Sequence, residues 1–332
     1  MDDLLPEKDP QKNLLPAPDV ESEQQPITPL IKPGAPATFT YPPAYLQRLA
    51  QETPSSESIE AAPLRPNLLH TLLFFAIALV TLFAGQVVAA VIYHLVTLGS
   101  HPHQSLNSAF AMTATDPRIS IPVQAAIYGV LVLVSFAVFT GLWLQPFLKT
   151  IEWNLPRARR FFFPLLGLGL LTGIAIGAIG NRLPMPQSPP ILDEMSTSQL
   201  GAWFMLIFGI TAAPMTEELA FRGFLLPSLL NLFRLSERHG LSNHEVTRWV
   251  GIPVSILLTT IPFTLLHAQQ VSDSWGPLVL IGLVSIVLCI VRLVMKSVAC
   301  SAVVHAAYNF TLFAGVVYQT SGFEHLNKLL GS

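Results

Sequence analysis

The sequence predicts an all-α polytopic membrane protein: about seven transmembrane helices, eight at most, behind a disordered N-terminal tail. Three observations predict it. Of 332 residues, 51% are hydrophobic and only 11% are charged, against about a quarter charged in soluble domains. The charge is uneven, because the first sixty residues alone hold ten acidic and four basic side chains of the 38 in the chain. Beyond Pro66 the chain breaks into apolar runs near the ~20 residues that a membrane-crossing helix requires.

The tail spans residues 1–66. Its first sixty residues carry a net charge of −6, and thirteen prolines fall within the 66, so it buries too little apolar surface to offset the entropy of ordering. It begins Met1-Asp2-Asp3 without a basic or apolar leader, and no cleavable signal peptide is expected. Pro-rich pieces such as Pro26-Ile27-Thr28-Pro29 suit a protein partner, although a solvated linker is the favoured reading. A short amphipathic helix around Tyr45–Gln51 could lie on the membrane surface.

Six spans are expected at Leu68–Thr97, 121–147, 161–180, 250–266, 277–295 and 298–318. A seventh apolar stretch, 201–233, would measure about 50 Å as unbroken helix, too long for one crossing. Pro214 is the expected break, since its ring removes a backbone donor and clashes with the preceding turn. A helix restarting there would put Glu217 and Glu218 in its first turn, at the positive end of the helix dipole. These spans divide the chain into the tail (1–66), a three-helix membrane region (67–199), a second membrane region containing Glu217 and Glu218 (200–320) and a short C-terminal tail (321–332). Gly173 and Gly177 make a small-residue face for helix packing, followed by Gly180.

Basic residues set the orientation. Lys149, Arg157, Arg159 and Arg160 mark one loop, Arg234, Arg238 and Arg248 a second, and Arg292 with Lys296 a third. The intervening loops carry Arg118 alone, Arg182 alone, and neither lysine nor arginine between His267 and Trp275. With seven crossings this places the N-terminus on the cytoplasmic side of a cell or inner membrane. The two cysteines, Cys289 and Cys300, read as buried small hydrophobes.

Ionisable residues inside spans are costly and mark function by default. Glu217, Glu218 and Arg222 fall within one apolar stretch. Glu218 and Arg222 are four apart, share a helix face and can pair, while Glu217 points about 100° away. Phe263 and His267 repeat the spacing of four on the next span. His305 and Asn309 repeat it on the last, where an imidazole and an amide can together stabilise an oxyanion.

This ordered triple, Glu-Glu-x-x-x-Arg, Phe-x-x-x-His and His-x-x-x-Asn, resembles the CAAX protease and bacteriocin-processing (CPBP) family of intramembrane endopeptidases. That family includes the type II CAAX prenyl endopeptidases. The resemblance runs from about Ala213 to Thr311 and includes Phe221-Arg222-Gly223. It implies a hydrolase in which Glu217 activates a water with help from His267. His305 and Asn309 would stabilise the oxyanion, and Glu218, Arg222 and Phe263 would support the site. No cofactor is favoured. Zinc on Glu217, His267 and His305 is the second reading, since these supply three ligands and leave a position open. The expected substrate is a membrane-associated protein or peptide, as in CAAX processing or bacteriocin maturation, and no nucleic-acid partner is expected.

Competing signatures are missing. His244-Glu245-Val246-Thr247-Arg248, read as part of a charged loop, lacks the second histidine of a zinc-protease motif. No span contains an aspartate, and no Gly-x-Ser-Gly run is present. Two other function classes stay open. A proton-coupled transporter also uses intramembrane Glu and His, and a catalytically silent scaffold would need only the tail.

Overall fold

A computed structural model of the chain describes residues 63–100, 103–186 and 189–330. The expected surface helix around Tyr45–Gln51 and the Pro26–Pro29 piece lie outside them. Among the described residues there is no strand, and seven helices are long and apolar enough to cross a membrane. They are α1 (Leu68–Thr97), α2 (Pro117–Trp143), α3 (Phe162–Gly180), α4 (Gln199–Arg238), α5 (His244–Leu265), α6 (Trp275–Met295) and α7 (Val298–Gln319). Short helices at Leu106–Thr115, Phe147–Thr150, Leu155–Arg160 and Pro190–Ser196 link them.

Local sequence explains most boundaries. α1 is capped by Asn67, whose side chain accepts from the His70 amide while His70 Nδ1 accepts from the Asn67 amide, a reciprocal cap of the first-turn donors. Asp116 caps α2, with Pro117 at its first position, where the missing N–H is harmless. Arg118 donates to the Asp116 carboxylate and holds its pKa below the usual carboxylate range. α1 presents Leu69, Leu72, Leu79, Val80, Phe83, Ile92 and Val96 outward, an apolar face suited to lipid.

α4 is one candidate span of 40 residues, broken internally. The break falls at Thr211 (φ −127°, ψ −87°), three residues before the expected Pro214. The helix restarts as Ala212–Glu218, with Pro214 inside the first turn, where its absent donor is tolerated. Glu217 and Glu218 are therefore the last two residues of that piece, and the expected dipole stabilisation at a helix start does not apply to them. The chain continues through a π-helical turn, Leu219–Leu225, into Leu226–Arg238. A second π turn, Thr247–Gly251, lies inside α5. Each precedes an X-Pro step, Leu226-Pro227 and Ile252-Pro253. A proline ring clashes with the carbonyl four residues back, and the wider register relieves that clash. The His244–Arg248 run, expected in a loop, starts α5.

α3 packs along α7 through glycine, shifted one turn from the expected face. A β-carbon on Gly173 would lie 2.6 Å from Thr311 Cβ, and one on Gly169 would lie 2.5 Å from the Val304 carbonyl, whereas Gly177 meets nothing within 4 Å. Phe74, Phe139, Trp143, Phe147 and Phe224 form an aromatic core at one end of the unit, continuous with Phe221 and Phe263. Pro63–Pro66 is tied to that end: the Arg65 guanidinium donates to the Trp143 carbonyl, and Asn231 Nδ2 donates to the Pro66 carbonyl at 2.8 Å.

The turn between α6 and α7 is the principal departure from the loop pattern read from basic residues. Lys296 is exposed, but Arg292, Ser297, Val298, Cys300 and Ser301 are buried. The segment after α2 covers this turn: Val298 donates to the Glu152 carbonyl at 3.0 Å, Ser297 Oγ to the Asn154 carbonyl at 3.2 Å, and Arg157 to the Met295 carbonyl at 2.7 Å. α7 thus begins inside the protein rather than at its edge. His305, seven residues in, is correspondingly deep.

Candidate active site

Glu217 of α4, His267 just beyond α5 and His305 of α7 meet. Glu217 Oε2 lies 3.7 Å from His305 Nε2 and 3.9 Å from His267 Nε2. His267 sits in the turn just beyond α5, and the buried start of α7 brings His305 to its level. Glu217 and His267 side chains are 23% and 20% exposed, against 4% for His305. The cluster is therefore open on the Glu217–His267 side and sealed behind His305.

The second glutamate does what its spacing predicts. Glu218 and Arg222 are fully buried, and Arg222 Nη1 donates to Glu218 Oε1 at 2.9 Å. The same oxygen accepts from His305 Nδ1 at 3.0 Å. Arg222 Nη2 also donates to the Ser285 carbonyl at 3.1 Å and to Ser285 Oγ at 2.8 Å, and Ser285 Oγ in turn donates to Thr260 Oγ1 at 3.1 Å. Phe263 is sandwiched in this network. Its ring centroid lies 4.5 Å from Arg222 Cζ, 4.8 Å from the His267 ring and 6.0 Å from the His305 ring.

The partners fix how the imidazoles present themselves. His267 Nδ1 lies 2.8 Å from the Phe263 carbonyl, which can only accept. His305 Nδ1 faces a carboxylate oxygen already paired with arginine. Each Nδ1 therefore carries the proton, and each Nε2 is turned toward Glu217. The two rings differ in what lies behind them: a neutral carbonyl for His267 and a carboxylate for His305.

Asn309 shares a face of α7 with His305, one turn on. Its Nδ2 donates to the Gly209 carbonyl at 2.7 Å, one of the carbonyls stranded where α4 breaks. A β-carbon on Gly209 would lie 2.5 Å from the Phe313 ring, so α4 and α7 approach closely at this point. One amide hydrogen of Asn309 thus holds the break, and the other is left over.

Ser285 and Thr260 were missed by the motif reading. Their signal in the sequence was a hydroxyl in an otherwise apolar span, a pattern that more often reflects helix packing. Tyr128 of α2 was also missed. It lies within electrostatic reach of Glu217 and its phenol accepts from Gln124 at 3.3 Å.

The donor types suit zinc, but the spacing does not form a set. Ligands at about 2.0–2.1 Å around a tetrahedral ion stand about 3.3 Å apart, closer than the 3.7 and 3.9 Å separations here. Among the described residues no group of three His, Cys, Asp or Glu side chains is arranged to hold a metal ion.

No curated protein and no solved structure matches the chain. One family model does, described as type II CAAX prenyl endopeptidase Rce1-like, over residues 199–311. The match starts with the first residue of α4 and contains Glu217, Glu218, Arg222, Phe263, His267, His305 and Asn309. The segment that builds this cluster is thus similar to the Rce1-like family model, within a chain whose seven apolar helices make it an integral membrane protein.

Proposed function

We propose that the chain is an intramembrane endopeptidase that cleaves a membrane-associated protein or peptide by CAAX-type processing, using a water activated by Glu217. The observation that carries this is the convergence of one carboxylate oxygen and two Nε2 atoms at 3.7 and 3.9 Å. These gaps are too long for direct hydrogen bonds and suit a bridging water.

In this reading Glu217 Oε2 takes a proton from the water while the water oxygen attacks the scissile carbonyl carbon. His267 Nε2, held as an acceptor by its Nδ1–H bond to Phe263, orients the water's second hydrogen. Negative charge develops on the substrate oxygen on the opposite side. His305, donating through Nε2, and the spare amide hydrogen of Asn309 stabilise it. Glu218 compensates the positive charge that His305 carries in that role, and Arg222 anchors Glu218. On collapse the C–N bond breaks, and the proton on Glu217 passes to the leaving amine.

Zinc on Glu217, His267 and His305 would supply a Lewis acid at the same place. The cytoplasmic placement of the N-terminus is part of the proposal and follows from the basic loops after α2 and around the end of α4.

The test is cleavage of a quenched-fluorescent prenylated CAAX peptide by the purified chain in detergent, with and without chelator, alongside metal analysis. Cleavage that chelator leaves intact is expected. Chelator-sensitive cleavage with about one zinc per chain would replace the metal-free chemistry. No cleavage of prenylated peptides would remove CAAX-type processing.

A further inference from the structure

Arg292 was a loop marker in the sequence and is a buried residue in the structure, 5% exposed near the end of α6. Its Nε donates to the Arg222 carbonyl at 3.1 Å, and its Nη1 pairs with Glu152 Oε2 at 2.7 Å.

The carbonyl it reaches lacks a donor for reasons in the sequence. Arg222 lies in the π turn, where the Leu226 amide bonds back to Phe221, five residues away. The next amide in that register, which would serve Arg222, belongs to Pro227 and does not exist. A buried carbonyl without a partner is costly, and the guanidinium of Arg292 supplies the missing bond from another helix.

Glu152 in turn holds two helices. Its carboxylate pairs with Arg292 on α6, and its carbonyl accepts from Val298 at the start of α7. Its backbone is left-handed, φ +57°, a conformation non-glycine residues keep only where their surroundings hold them. A continuous chain results: Glu152, Arg292, the Arg222 backbone, the Arg222 guanidinium, Glu218, His305. It runs from a half-exposed carboxylate to the ring that faces Glu217.

We infer that Glu152 and Arg292 are positioning residues for the hydrolytic site, acting by completing the π turn so that Arg222 aims its guanidinium at Glu218. Glu152 lies outside the family match at 199–311. The inference rests on the proposed hydrolytic reading for its catalytic consequence, while its structural consequence can be read without any cleavage.

The experiment uses the full chain in detergent with Glu152→Gln, Arg292→Lys and Arg292→Gln, each with and without Pro227→Ala. A lysine keeps the charge but replaces the fixed Nε and Nη1 donors of the guanidinium with one compact ammonium on a flexible stem. Pro227→Ala restores an N–H at the position that would serve Arg222. Two readouts are taken: kcat and KM on the prenylated CAAX peptide, and hydrogen–deuterium exchange of the peptide covering residues 219–226. Both Arg292 variants should lower kcat about ten- to a hundredfold, as misplacement by about an ångström does, with KM unchanged. Exchange should quicken in residues 219–226, and Pro227→Ala should restore both readouts at least in part. The inference is overturned if both Arg292 variants stay within about twofold of wild type in kcat. It is equally overturned if exchange rises evenly across the protein, or if Pro227→Ala restores nothing. A wild-type chain that cleaves nothing refutes the proposed function, and the exchange readout then decides this inference alone.

Discussion

Replacing Arg222 with methionine removes the guanidinium on which the sealed side of the site depends while keeping much of its volume. Arg222 and Glu218 are both fully buried, and Arg222 makes one bond to Glu218 and two to Ser285. Breaking a buried pair by removing one partner leaves an uncompensated charge and costs about 3–5 kcal/mol. The Ser285 contacts put Arg222→Met toward the upper end, about 4–5 kcal/mol, near the limit for single substitutions. Glu218→Gln should cost about 3 kcal/mol, because the glutamine oxygen still accepts from His305 while Arg222 is left charged. The double variant buries no charge in this pair and should cost clearly less than the two singles together, a coupling of at least about 2 kcal/mol. The chain supplies its own reporter, since its only two cysteines, Cys289 and Cys300, are both buried. A thiol-reactive fluorophore followed through a denaturant titration in detergent reads unfolding directly. Costs that simply add, with coupling below about 0.5 kcal/mol, would refute the claim that these charges hold one another.

Three further outcomes are expected. Gly173→Val should drive a side chain into Thr311 and lose about 1–3 kcal/mol by the same assay, while Gly177→Val, facing open space, should change little. His267→Ala should lower kcat by about 10²–10⁴ with the unfolding midpoint nearly unchanged, because the ring is partly exposed and bonds only its own helix. Asn309→Ala should lower stability by about 1–3 kcal/mol, through the Gly209 carbonyl left without its partner, as well as lowering kcat.

Hydropathy made the spans legible because the requirement is crude: enough apolar length to cross. Leu68–Thr97 matches residue for residue, and every other end falls within six positions of the expected one. The pairing of Glu218 with Arg222 was legible because spacing by four is a local property of helix. The break in α4 was not, since Thr211 ends the helix through its backbone geometry while Pro214 sits in a first turn that tolerates it. Nor was the depth of His305, which depends on residues 149–160 folding over the α6–α7 turn, a contact across more than a hundred residues. Arg292 misled for the same reason: a guanidinium near a helix end looks like a loop marker until Glu152 and a stranded carbonyl appear beside it. Gly169, not Gly177, pairs with Gly173 against α7, because helix rotation and not spacing selects the face.

The claim on which the rest depends is that Glu217, rather than its neighbour, performs the chemistry. Single-turnover cleavage of the prenylated peptide should be compared for wild type, Glu217→Gln and Glu218→Gln, all shown to be folded by the thiol assay. Glu217→Gln should lose cleavage altogether with an unfolding midpoint near wild type, and Glu218→Gln should lose stability but keep residual turnover. Undiminished cleavage by a folded Glu217→Gln variant would contradict the account.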